Sequence, residues 1–122
     1  MITLKELNPH NYPTTPEQYS NMEKLLVAVN IIRTAWGKPM TVTSGLRSNA
    51  DQTRINPSAP KSNHLIGAAV DIYDPDLSLT EWLKGDGAEV LKNANLYCEL
   101  GNKNWAHFQI YPPKSARRWF LP

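Results

Sequence analysis

The segment Pro16–Trp36 constrains this chain more than any other. Met22, Leu25, Leu26, Val29, Ile32 and Trp36 recur at helical spacing and make one apolar face. Both ends are punctuated. Thr15 is placed to cap the first turn, Pro16 suits the first helical position and Glu17 meets the positive helix end. Gly37 and Pro39 stop the run. Later segments are shorter and follow another period. Residues 40–44 alternate apolar and polar as a strand does, and residues 67–73 form a second strand ended by Asp74 and Pro75. Ser78 with Glu81 reads as a capping box for a short helix, interrupted at Gly85-Asp86-Gly87 and resumed over residues 88–93. Closing strands at 96–100 and 105–111 flank the turn-rich Gly101-Asn102-Lys103-Asn104. The expected fold class is therefore α+β, with helices packed on a small, mostly antiparallel sheet.

Between the first two strands, residues 45–63 are rich in Asn, Ser, Pro and Arg and read as a long loop with one helical turn near residues 50–53. Residues 1–15 read as an amino-terminal arm. The basic, aromatic tail at 112–122 carries no pattern that assigns it an element. At 122 residues the chain is sized for a single domain spanning 1–122.

Composition excludes several function classes. No apolar run approaches the roughly 20 residues that cross a bilayer, so no membrane span is expected. The opening MITLKELNPHNYP lacks the apolar stretch of a secretory leader. The net charge of +2, from 13 basic and 11 acidic residues spread along the chain, gives no concentrated basic face, and no nucleic-acid partner is expected. The single cysteine, Cys98, excludes an internal disulfide and a cysteine-rich zinc site. Any metal chemistry here must use histidine and carboxylate.

Such groups occur in order. Ser62-Asn63-His64-Leu65-Ile66-Gly67-Ala68-Ala69-Val70-Asp71 carries a histidine from a loop and a carboxylate from the following strand. Trp105-Ala106-His107 adds a histidine inside a later apolar strand. Alone, His107 would read as a core histidine, and Asp71, between Val70 and Ile72, as a carboxylate paired with a backbone amide. Together they supply the nitrogen and oxygen ligands of a catalytic zinc site, which keeps one coordination position open for water. No H-E-x-x-H helix is present.

The pattern S-x-H-x-x-G-x-A-x-D, followed by W-x-H and preceded by Ser44-Gly45-Leu46-Arg47-Ser48, resembles the zinc D-alanyl-D-alanine carboxypeptidases and L-alanyl-D-glutamate endopeptidases. That group includes vancomycin-resistance dipeptidases and many phage endolysins, and shares its architecture with the hedgehog signalling domains. The resemblance implies Zn2+ as cofactor, held by His64, Asp71 and His107, with Arg47 contacting the substrate or polarising its carbonyl. Many members place the catalytic carboxylate three residues before the last histidine, where this chain has Asn104. Others carry a glutamate at the end of the preceding strand. Residues 96–100 fit that second pattern, which implies Glu99 as general base. Ser62 and Trp105 then read as residues that orient a ligand or meet the substrate.

The implied substrate is a peptidoglycan stem peptide, cut either at a terminal D-Ala or inside the stem. The layout suggests a monomeric phage or prophage endolysin, or a virion-associated lysin. Such a protein would be made in the bacterial cytoplasm and act on the wall after release. The competing reading is a structural or wall-binding protein of the same fold that keeps zinc without catalysis, and Glu99 is the residue that separates the two.

Overall fold

The computed structural model describes residues 1–58 and 61–122, so residues 59 and 60 of the expected loop lie outside the described residues. The arm contains a short helix, α1 (Leu4–Leu7), closed by a capping box between Thr3 and Glu6, and it buries Ile2 and Leu7. The long helix α2 (Pro16–Trp36) begins and ends where its signals place it. Thr15 and Gln18 exchange side-chain and backbone bonds at its start, and Gly37 adopts the left-handed conformation (φ 72°) at its end. Met22, Leu25, Val29 and Ile32 face the core.

Strands β1 (Val42–Ser44), β2 (Ala69–Tyr73), β3 (Tyr97–Glu99), β4 (Trp105–Gln109) and β5 (Trp119–Phe120) form a five-stranded sheet in the order β1-β2-β4-β3-β5. β1 with β2, β2 with β4 and β4 with β3 pair antiparallel, as expected. The sheet is nonetheless mixed. β5, made by the tail to which no element was assigned, lies parallel to β3 at one edge.

Alternation along the strands separates two faces. Val70 and Ile72 of β2, Ala106 and Phe108 of β4 and Cys98 of β3 enter the hydrophobic core with α2, and each is essentially inaccessible. Burying such aliphatic and aromatic side chains stabilises the fold by roughly 1.5–3 kcal/mol apiece. Asp71, His107 and Glu99 turn to the other face.

Helix α3 (Asn49–Ile55) is longer than the single turn expected, because the Ser48 hydroxyl accepts from Asp51 N and starts it. A 3-10 turn, Asn63–Ile66, precedes β2. Helices α4 (Ser78–Lys84) and α5 (Ala88–Asn93) cover the core beside α2. Ser78 does not cap α4, contrary to the capping box read from the sequence. The buried Asp74 carboxylate does the work instead, accepting from Leu79 N (3.0 Å), Thr80 N (3.0 Å) and the Thr80 hydroxyl (2.7 Å). A carboxylate on the preceding turn reaches several amides of the helix start at once, which a serine hydroxyl cannot. Among the described residues no helix is long and apolar enough to cross a membrane.

Candidate metal centre

His64 is delivered by the 3-10 turn, which the Ser62 hydroxyl starts by accepting from His64 N (3.2 Å). Gly67 ends that turn at φ 72°, where a Cβ would meet Met22 Cγ at 2.8 Å and Gln18 O at 2.9 Å, so this position requires glycine. Two polar side chains of α2 fasten the turn. Gln18 Nε2 donates to Leu65 O and Asn21 Nδ2 to Ile66 O, each at 2.9 Å. The sheet register supplies the other groups, with Asp71 opposite His107 across β2 and β4, and His107 opposite Glu99 across β4 and β3. Facing residues on neighbouring strands share a face.

The ligand-type atoms of His64, Asp71 and His107 lie within 4.8 Å of one another, and all three residues are buried. His64 Nε2 faces Asp71 Oδ2 at 3.3 Å, and His107 Nδ1 faces Asp71 Oδ1 at 2.9 Å. The remaining ring nitrogens are committed elsewhere. His64 Nδ1 lies 2.8 Å from the Gly45 carbonyl, which only accepts, so that nitrogen carries the proton. His107 Nε2 lies 2.9 Å from Gln109 Oε1. Gln109 donates its Nε2 to Tyr111 O (2.9 Å), which forces its amide oxygen toward the imidazole. Both histidines thus aim a lone pair at one point beside Asp71.

That donor set fits a divalent zinc ion. Two imidazole nitrogens and one carboxylate oxygen converge, and each imidazole donates its other N–H to a carbonyl oxygen, the usual support of a metal-binding histidine. Burial works against charging His107, but the hydrogen bond and charge of Asp71 outweigh it and raise its pKa. Burial likewise works to raise Asp71, yet its bonds to His107 and His64 and their charges hold its carboxyl well below the usual carboxylate range.

Arg47 is tied into the same centre. Its Nη2 donates to Asp71 Oδ2 (3.0 Å), its Nε to the Ser44 hydroxyl (2.8 Å) and its Nη1 to Gln52 Oε1 (2.9 Å). Its backbone N–H donates to His64 O (3.1 Å). The guanidinium therefore orients Asp71 and still has N–H groups beyond these bonds. Gly45, whose carbonyl orients His64, packs directly on the end of α1: a Cβ there would lie 2.2 Å from Leu7 O.

A cleft of about 370 Å³ opens over this centre. Arg47, Ser62, His64, Asp71, Glu99, Trp105 and His107, all singled out from the sequence, line it. Glu99 is half-buried, and among the described residues its carboxylate makes no hydrogen bond or ion pair. Asn104 does not line the cleft; its carbonyl accepts from Asp74 N instead. Cys98 points into the core, where burial pushes its thiol up to about 12 and removes it as nucleophile or ligand. His10 lies apart, its ring 5.3 Å from that of Tyr12. Sequence reasoning missed Gln109, Gln52 and the Gly45 carbonyl. For Gln109 a signal existed, since it follows His107 by two residues and so shares its face.

Comparison with known proteins bears on this arrangement. The family described as Peptidase M15 matches residues 3–107. The crystal structure of the Serratia marcescens L-Ala D-Glu endopeptidase ChiX has the same fold, with a TM-score of 0.54 at 20% identity, covering 86% of this chain and 95% of that one. No curated protein matches the sequence. A family match over most of the chain, on a fold shared with a peptidase of known structure, makes this protein a member of the Peptidase M15 family and a peptidase.

Proposed function

We propose that the protein is a zinc-dependent peptidase that hydrolyses peptide bonds in the stem peptides of bacterial peptidoglycan. The observation that carries this reading is the convergence of His64 Nε2, His107 Nδ1 and the Asp71 carboxylate in a cleft that also holds the uncommitted carboxylate of Glu99. The wall substrate is supported by family membership and by the named activity of the Serratia protein of the same fold.

His64, Asp71 and His107 would hold the ion. Zinc, when bound, polarises the scissile carbonyl and makes a water more acidic. Glu99 takes the proton of the attacking water as its oxygen adds to the carbonyl carbon, then passes that proton to the amine nitrogen as the C–N bond breaks. Arg47 orients Asp71 through its Nη2 and lines the cleft, where its remaining N–H groups can meet a peptide carbonyl. Trp105 and Ser62 form walls that position the peptide.

Digestion of purified peptidoglycan, read by mass spectrometry, tests the proposal. Wild type will release muropeptide fragments whose masses name the bond. Chelated protein will release none, and Glu99→Gln will be slower by about 10²–10⁴-fold while still retaining zinc by metal analysis. Fragments from Glu99→Gln at the wild-type rate would remove Glu99 as the base. No fragments from wild type, across several wall chemistries, would favour the zinc-holding, non-catalytic alternative. Turbidity loss of permeabilised bacterial cells tests the lysin role within the same proposal.

A further inference from the structure

Each strand places one residue in a single row across the sheet. Ser44 of β1 lies opposite Asp71 of β2, Asp71 opposite His107 of β4, His107 opposite Glu99 of β3, and Glu99 beside Phe120 of β5. Residues in register share a face. The row therefore begins at the hydroxyl that receives Arg47, passes through two of the three metal-ligating side chains and the carboxylate assigned as base, and ends at an aromatic ring.

That ring is well placed to act on its neighbours. Phe120 is 8% exposed, and its ring stands edge-on to His107, with centroids 6.4 Å apart at 83°. Its strand is locked to that of Glu99 on both sides of the glutamate, because Cys98 N donates to Arg118 O (2.8 Å) and Leu100 N to Phe120 O (2.7 Å). The Arg118 guanidinium lies over the Tyr97 ring at 4.3 Å and donates to Leu96 O (3.0 Å), fixing the start of the same strand. Arg118 and strand β5 lie beyond residues 3–107, where the family match ends.

We propose that Phe120 is a positioning residue of the active site and that the carboxy-terminal strand belongs to the catalytic apparatus. The Phe120 ring closes the outer flank of His107 and Glu99. It holds the imidazole at the tilt that aims Nδ1 at Asp71, and it leaves the cleft as the open side for the Glu99 carboxylate. The part concerning Glu99 rests on the proposed peptidase reading; the part concerning His107 and zinc does not. Trp119, the preceding residue, faces the other way. It pairs with Cys98 and packs against the core, so its role is structural.

The two neighbours make the test. Zinc affinity is measured by competition with a chromophoric chelator, and kcat and KM on a synthetic stem peptide, for Phe120→Ala, Phe120→Leu and Trp119→Phe, with Tm recorded for each. Phe120→Ala will weaken zinc binding and lower kcat by roughly tenfold each, with KM within about twofold. Phe120→Leu, which keeps an apolar side chain and carries the test if the alanine variant does not fold, will show a smaller loss in the same direction. Trp119→Phe will lower Tm and leave zinc affinity and kcat at the wild-type level. Wild-type zinc affinity and kcat in a folded Phe120→Leu or Phe120→Ala would overturn the proposal. So would equal losses in Trp119→Phe, which would make the strand a structural support alone. If wild type cuts no stem peptide, the peptidase reading fails, and the zinc competition still decides for Phe120.

Discussion

At Gln109 a single side-chain amide decides which nitrogen of His107 is available. Its oxygen takes the Nε2 proton, its nitrogen is anchored to Tyr111 O, and the Nδ1 lone pair is left facing Asp71. Replacing it by a residue of similar size without an acceptor frees the other tautomer and leaves a buried N–H unpaired. Gln109→Leu will therefore weaken zinc binding by roughly 10–100-fold, measured by chelator competition, while secondary structure by circular dichroism is unchanged. Unaltered affinity would mean that the ion selects the Nδ1 lone pair of His107 without help from Gln109. The same logic distinguishes Arg47 from a surface arginine: its bonds to Asp71, Ser44 and Gln52 make it the partner that compensates a buried carboxylate.

Elements show where local pattern and tertiary context part company. The caps of α2 act over one turn of chain and form as their residues indicate. The start of α4 does not, because a buried carboxylate four residues upstream of the helix takes the role assigned to Ser78. Asp74→Ala will lose about 1–3 kcal/mol of stability by urea unfolding, the cost of leaving buried donors unpaired. Ser78→Ala will stay within about 0.5 kcal/mol of wild type. Neither change will move zinc affinity, since neither residue lines the cleft. If Ser78→Ala were the costlier of the two, the hydroxyl rather than Asp74 would be the working cap. The turn before β2 follows a third rule. Its residues fit a tight turn locally, but Gln18 and Asn21 of the distant helix hold it in place.

For the whole molecule, the coupling of metal, protons and folding gives a pH dependence with a definite sign. His107 is raised above its ordinary 6.5, so the stability it contributes to the metal-free protein is complete below about that value and is lost as pH climbs through its folded pKa. Asp71 is depressed below its ordinary 3.8, so its contribution is present above that value and vanishes only in strong acid. Metal-free protein will thus lose Tm on the alkaline side. Zinc requires neutral imidazoles, so its stabilisation will grow over the same range. Melting curves with and without zinc between about pH 5 and 9 will show the gap widening as pH rises; a gap that does not change would place the ion on other ligands. Much of this molecule was legible along the chain. The helix and the strands are written in local periods and caps, because those signals need only neighbouring residues. The groups that line the cleft were legible through the motifs that resemble the peptidase family. Tertiary structure decided the rest: the row from Ser44 to Phe120, the parallel pairing of the tail, the Gly45 carbonyl behind His64 and the Asp74 cap. The Asp74 cap spans only five or six residues, but it needs that carboxylate to be buried against the helix start. The others join segments distant in sequence, with register set by how faces pack and how buried polar groups find partners, which no local pattern encodes.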